Sequence, residues 1–300
     1  MENYLSQEFL YMLSIPIHGT AIIGEMVYSH YIKRKLYTVG DTATNVYMAT
    51  LNFLLDLLMK GIAFGVLYFF YHYRIFDFAP EFGITYWIMV FLLQDFAYYV
   101  HHYVDHYSRF FWAVHVTHHN SEHFNISTGF RSPVFQPLYR YIFFLPLALF
   151  GFHPLHIIGV YAILQIYGTL IHTESVKKMG VLEWILVTPS HHRVHHASNG
   201  KYLDKNMGMF LIIWDRIFGT FQKEEDDYEP IKYGLTSTIE DKGPVNIVFH
   251  EWKSIWEDVK RPDINWKQRL KYIFYPPGWS HDGSRKTSRQ IQQEIKEKTV

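Results

Sequence analysis

Apolar residues along this chain gather into four long stretches, at roughly 9–29, 46–71, 84–100 and 141–171. The fourth is too long for one helix and is interrupted by Gly151-Phe152-His153-Pro154, which reads as a turn. A bilayer core takes about 20 apolar residues per helix, and about 17 suffice. The pattern predicts an all-α fold, an integral membrane helical bundle of about five spans, or three spans and a hairpin that does not fully cross. A soluble helix would show a polar face at every turn, and Ile62–Phe70 (IAFGVLYFF) shows none. Four charged residues, Glu25, Asp56, Lys60 and Asp95, fall inside the stretches. Charge at membrane depth is costly, so these positions are expected to be paired or functional.

Basic residues set the orientation. Lys33, Arg34 and Lys35 follow the first stretch and place that loop in the cytoplasm. Counting crossings returns the chain to the same side after Val100 and again after Ile171. From about Gln222 the sequence becomes charged. The expected organisation is a membrane-embedded catalytic domain over 1–221 and a cytoplasmic C-terminal tail over 222–300 that packs on it. MENYLSQEFL, at the N-terminus, has no basic region and no small-residue cleavage site, so no cleavable signal peptide is expected.

Composition narrows the chemistry. Lys+Arg and Asp+Glu balance at 28 each, so no net charge invites nucleic acid. There is no cysteine, which excludes disulfides, thiolate metal sites and cysteine nucleophiles. Histidine is abundant, at 19 of 300 residues, and eight of these fall in three clusters. His102 and His106 form HxxxH; His115, His118 and His119 form HxxHH; His192, His195 and His196 form a second HxxHH. Residues three and four apart share a helical face, so each cluster aims two or three imidazoles one way. Imidazole is a good ligand for iron, zinc or copper. Eight converging imidazoles are too many for one ion with open positions but suit two, and all three clusters fall on the cytoplasmic side.

Several neighbours are secondary candidates. His172, at the end of the last stretch, enters the same side and is a candidate ninth ligand. His101 and His191 abut the clusters about 100° away around a helix and read as supporting or solvent-facing. His123, four residues after His119, could reach the site. Asp95 shares a face with His102 and is expected to accept a proton from a ligand imidazole on another helix. Glu174 is a further acceptor candidate. The remaining histidines read as structural.

These residues resemble the fatty acid hydroxylase/sterol desaturase superfamily, in particular its alkylglycerol monooxygenase-like members. The resemblance rests on the three boxes and their surroundings: Asp95-Phe-Ala-Tyr98-Tyr99 before His102, HHNSEHFNIST at 118–128, Pro189-Ser190 before the third box, Asp204-Lys205-Asn206 ahead of LIIWDRIFGTF at 211–221, then Tyr233-Gly-Leu-Thr236 and Pro276-Pro-Gly-Trp279. It implies a diiron, O2-dependent enzyme acting on a lipid, with the eight boxed histidines as ligands. Two positions depart from the pattern. Tyr103 stands where the family often has Arg, and Tyr107 where alkylglycerol monooxygenases have Glu. The substrate therefore stays broad: a sterol, fatty acyl or alkyl-glycerol lipid.

Unactivated C–H bonds resist acid–base chemistry, so a redox metal is expected: two Fe ions with O2 as co-substrate, giving hydroxylation or desaturation. No dinucleotide or haem motif is present. Electrons must come from a separate electron-donor protein or a diffusible reductant. The alternative is a di-zinc membrane hydrolase using the same boxes. It needs a positioned general base, and no HExxH occurs. Segment 206–221 has an apolar centre with a Trp and a charged pair, and reads either as an interfacial wall of a tail channel or as a packing helix.

Overall fold

The computed structural model describes residues 7–237, 239 and 241–299. Residues 1–6, on which the signal-peptide expectation partly turns, lie outside that set. Among the described residues the fold is all-helical, with two isolated β-bridges. The helices are α1 (Gln7–Tyr31), α2 (Val39–His72), α3 (Ile84–Tyr107), α4 (Arg109–His119), α5 (Leu145–Phe150), α6 (Pro154–Leu170), α7 (Pro189–His195), α8 (Ile213–Phe218), α9 (Pro244–Val259), α10 (Trp266–Phe274) and α11 (Ser288–Thr299).

The first three apolar stretches each become one long helix. The fourth divides where its turn signal stands. Gly151 closes α5 in a left-handed conformation, φ 114°, and His153 accepts a hydrogen bond from Leu155 N to cap α6. Glycine is required at 151, because a Cβ there would meet the Phe76 carbonyl oxygen at 2.1 Å. The arm before the turn, Arg140–Phe150, is 3-10 and then α-helical. At roughly 1.5–2 Å per residue it cannot cover about 30 Å of hydrocarbon.

Among the described residues one helix, α2, is long and apolar enough to cross a membrane by length and composition, with a mean hydropathy of 1.8 over its most apolar window. Its outward face carries Phe53, Leu54, Leu57, Leu58, Ile62, Val66 and Phe69, all exposed. Its inner face joins a core shared with α3, α5 and α6, built on Leu67, Tyr86, Val90, Phe144, Phe152 and Leu164.

The charges inside the stretches are all engaged. Asp56 pairs with Arg140, whose guanidinium lies over the Tyr161 ring, and with Lys60 at 3.6 Å. Glu25 is a four-way acceptor: it takes bonds from Tyr37 Oη at 2.5 Å, Ile126 N at 2.8 Å, Ser175 Oγ at 3.0 Å and Thr173 Oγ1. A buried carboxylate is tolerated only when its lone pairs are filled in this way. Glu25 thereby ties α1 to the two loops that flank the histidine boxes. The loop after α1 joins the same place, with Arg34 on Glu174 at 2.6 Å and Asn125 donating to the Leu36 carbonyl.

The segment after residue 222 lies over the second box. Arg109, at the start of α4, binds Glu251 and Asp258 of α9, each at 2.6 Å. Asp258 also takes Arg285 at 2.7 Å.

Substituting Gly151→Ala forces either a clash with Phe76 or a shift of the hairpin. A loss of roughly 2 kcal/mol or more is expected. Thermal unfolding in detergent checks it; a variant as stable as wild type would mean that the turn relaxes freely.

Candidate metal centre

Nine buried imidazoles converge in two groups. Ligand-capable atoms of His102, His106, His115, His119 and His195 lie within 4.8 Å of one another, and so do those of His118, His172, His192 and His196. All eight boxed histidines are included, and His172 completes the smaller group. Helical periodicity explains the partition. On α4, His115 and His119 are four apart and share a face, while His118 is rotated by about 100° from His119 toward the other group. In the third box, His192 and His196 go one way and His195 the other.

Hydrogen bonds fix the rings. Nδ1 of His102 sits 2.8 Å from the Met207 carbonyl, that of His118 3.0 Å from Arg131 O, that of His172 2.7 Å from Gly168 O, and that of His195 2.9 Å from Lys205 O. His106 Nδ1 faces the Asp204 carboxylate at 3.1 Å. A carbonyl can only accept, so Nδ1 carries the proton and Nε2 of a neutral ring is a bare lone pair. Burial keeps the rings neutral: His118 is lowered to about 4, and His172, His192, His195 and His196 lie well below the ordinary value, chiefly by desolvation.

The consequence is a conflict that protein atoms alone do not resolve. His118 Nε2 faces His172 Nε2 at 3.3 Å with both Nδ1 atoms already donating, so two lone pairs point at each other. His172 Nε2 also faces His192 Nε2 at 2.9 Å. In the other group His115 Nε2 faces those of His102 and His119 at 3.0 and 3.1 Å. Nε2 of His106, His195 and His196 is buried with no hydrogen-bond partner. A cation resolves every one of these contacts. Two imidazole nitrogens held at about 2.1 Å from one ion and at right angles are about 3.0 Å apart. The donor set fits metal at both groups.

One short loop holds much of the larger group. Asp204, Lys205 and Met207 supply the acceptors for His106, His195 and His102 respectively. Asp204 and Asn206 adopt positive φ, 50° and 55°, a conformation uncommon outside glycine. The loop is held in that shape from both sides. Asn206 donates to His191 O and Gln222 O and accepts from Gln222 N. Asp215, fully buried in α8, accepts from Met207 N at 2.6 Å, Gly208 N at 2.8 Å and Thr220 Oγ1 at 2.6 Å. On the side of the smaller group, Gly129 approaches His172 so closely that a Cβ would stand 3.0 Å from its Nδ1. Arg193 bonds the Thr173 and Val176 carbonyls and Glu224, which fastens the third box beside His172.

The supporting candidates divide. Asp95 does not touch an imidazole: its carboxylate accepts from Phe210 N and Leu211 N at 3.1 Å and from Trp214 Nε1 at 2.9 Å. It anchors the loop before α8, two turns below His102, where no ligand ring reaches. Glu174 is also directed elsewhere, onto Arg34. His123 is half-buried, belongs to neither group, and lines a separate cavity of about 490 Å³ with Asp41, Asn120 and Arg131. His101 and His191 are both buried, so neither faces solvent. His191 caps α7 by accepting from Thr188 N. His101 lies 3.3 Å from Asp105, whose carboxylate is 3.6 Å from His115 Nδ1. Asp105, which takes hydrogen bonds from Tyr139 and Gln136, is the acidic neighbour that sequence reasoning missed. Its spacing from the first box, three residues after His102, was the available signal.

A cavity of about 380 Å³ opens onto His106, His119, His195 and His196. Trp112, Val116 and Leu203 line it on one side, and Leu235, Ile239, Ser254, Pro277 and Ile291 of the later segment on the other.

Residues 87–220 match the fatty acid hydroxylase family model, and all nine imidazoles lie inside that span. That span is a fatty acid hydroxylase domain. It is 38% identical to human alkylglycerol monooxygenase over 290 residues, which is 95% of this chain and 62% of that protein. Against alkylglycerol monooxygenase of Xenopus tropicalis it is 35% identical over 86% of the chain and 57% of the relative. Ornithine lipid hydroxylase of Rhizobium tropici is 31% identical over 43% of the chain and 40% of its own length. The chain thus spans little more than half the length of the alkylglycerol monooxygenases it matches. No solved structure matches it.

Two substitutions test the centre through metal affinity. Asp215→Asn loosens the 204–207 loop and should weaken binding at the five-imidazole group by roughly 10- to 100-fold, leaving the other group unchanged. Equal weakening at both groups in a metal titration would show that the loop does not act on one group alone. Asp95→Leu strands three donors and should cost roughly 1–3 kcal/mol for each donor left unpaired, without changing metal count in the protein that folds. A stable variant that has lost metal would return Asp95 to the imidazoles.

Proposed function

We propose that the chain is a membrane-bound, non-haem diiron oxygenase that hydroxylates or desaturates a lipid with O2 and external electrons. The observation that carries this reading is the pair of imidazole groups, five and four, with opposed lone pairs beside one cavity. The relatives named for monooxygenation of alkylglycerols and hydroxylation of ornithine lipid support an oxidative reaction on a lipid.

In this reading His102, His106, His115, His119 and His195 hold one iron, and His118, His172, His192 and His196 the other. Bound iron supplies the electrons that activate O2 for attack on a C–H bond. The protein's own contributions are geometric and electrostatic. The carbonyls of Arg131, Gly168, Lys205 and Met207 hold the Nδ1 protons, so each ring offers a lone pair without reorganisation. The reacting carbon approaches through the cavity beside His106, His119, His195 and His196. The lining of that cavity is mixed: Trp112, Val116, Leu203, Leu235 and Ile239 offer contact to an alkyl chain, while Ser198, Asp204, Thr236, Glu251 and Lys286 offer polar partners to a headgroup. The segment beyond residue 222 forms its outer wall, so it both encloses the substrate and limits its shape.

A hydrolytic reading with zinc lacks, among the described residues, a free carboxylate at the cavity. The two carboxylates at the cavity, Asp204 and Glu251, are engaged by His106 and Arg109. The all-imidazole donor set is compatible with iron.

Membrane localisation with the boxes at the cytoplasmic face is part of the proposal, as are a lipid substrate and a separate electron-donor protein or diffusible reductant. Lipid profiling of cells with and without the gene tests the reaction class. A product one oxygen heavier identifies hydroxylation, one two hydrogens lighter identifies desaturation, and His118→Ala abolishes either. Unchanged lipids, or full turnover in that variant, contradict the reading.

A further inference from the structure

The segment that leads into the third box exposes an apolar surface that the function described so far does not use. The 3-10 turn Gly180–Trp184 and the residue after it turn Val181, Leu182, Trp184 and Ile185 outward, with Val181 80% and Trp184 70% exposed. Beside them stand Ile217, 66% exposed, and Phe218, on α8. Backbone bonds join the two pieces into one unit: Ile212 N donates to Ile185 O, and Val187 N to Phe210 O. We propose that this surface is a membrane-docking patch, seated in the headgroup and upper acyl region of a phospholipid bilayer. The proposal rests on the membrane-bound reading above.

Continuity is the first argument. On α3, residues Ile84, Ile88 and Leu92 recur every fourth position, all exposed on one stripe. The next step of that stripe is Phe96, which packs on Trp214 and Phe218 with ring centroids 4.9 and 5.9 Å apart. The outward apolar stripe of α3 therefore leads onto Trp214 and Phe218 of α8, and Arg216 of the same helix reaches Trp184. A bilayer covering α3 meets the patch at its edge.

Charge is the second argument. Arg216 stands at the edge of the patch, donating to the Glu183 carbonyl at 3.1 Å, and the exposed Lys177 and Lys178 precede the patch in the chain, Lys178 paired with Asp226 at 2.6 Å. The Arg216 guanidinium lies over the Phe221 ring at 3.8 Å and over Trp184 at 5.5 Å, its stem covering apolar surface while its charged end stays at the rim. Aliphatic residues framed by Trp and by cations match the layered chemistry of a phospholipid interface, acyl below and phosphate above. A second copy fits less well, since a face-to-face pairing would bring the two basic rims together. Docking here fixes the third box at a set depth, because Val187 and Pro189 follow the patch directly in the chain.

The absence of cysteine makes the test clean. Single variants Val181→Cys and Ile217→Cys are labelled with an environment-insensitive fluorophore and placed in phosphatidylcholine/phosphatidylglycerol nanodiscs containing lipid with a nitroxide near the headgroup. Leu58→Cys, on the exposed face of α2, reports membrane insertion itself, and Lys232→Cys reports water. Labels at 181 and 217 are expected to be quenched several-fold more than the one at 232. Quenching at 58 but not at 181 and 217 overturns the patch and leaves the membrane reading intact. No quenching at 58 either overturns both. Disulfide cross-linking between copies through Ile217→Cys without quenching assigns the surface to a second copy and also overturns it.

Discussion

Everything in this structure is arranged around one electrostatic problem: nine buried imidazoles whose ring nitrogens converge on one another. Bulk water could relieve lone-pair opposition at a surface, but these rings are buried, and four of them meet only the cavity. The surrounding carbonyls remove the remaining freedom, because each Nδ1 that donates to a carbonyl commits its Nε2 to the interior. Left without a cation, the cluster carries both desolvation and repulsion. With cations, the same contacts become ligand sets. The fold is thus a scaffold that makes metal binding and correct packing the same event.

That scaffold draws on distant parts of the chain. Loop 204–207 braces three imidazoles of the larger group, and α8 braces the loop through Asp215. α8 in turn rests on α3 through Asp95, Trp214 and Phe96. The smaller group relies on the region where Glu25 gathers α1 and the flanking loops, and on Arg193, which spans from the third box to the residues after His172. A change far from the metals can therefore reach one group and spare the other. The segment beyond 222 adds the outer wall of the cavity and is fastened to α4 by the Arg109 ion pairs.

Much of this was legible in the sequence, and the limits have physical causes. Apolar runs marked the long helices, and the glycine–proline signal at 151–154 marked the hairpin, because both depend on local chain properties. The boxes marked imidazoles that converge, since spacing on a helix is also local, and His172, at the end of its helix, joins them. Asp95 was misplaced in function. Its face on α3 was correctly read, but what packs against that face, the α8 loop, is a tertiary fact with no local trace. The acceptors that fix the rings are mostly backbone carbonyls, which no residue type encodes. The charged residues within the stretches signalled that partners must exist, and Arg140 as the partner of Asp56 lay 84 positions away.

The central claim is that the two groups hold two redox-active ions, and Mössbauer spectroscopy of the purified protein loaded with 57Fe, with iron counted by elemental analysis, tests it most directly. The account predicts about two irons per chain, both in nitrogen-rich surroundings and both changed by exposure to O2. A single iron, or a protein that turns over lipid with zinc alone, would contradict it.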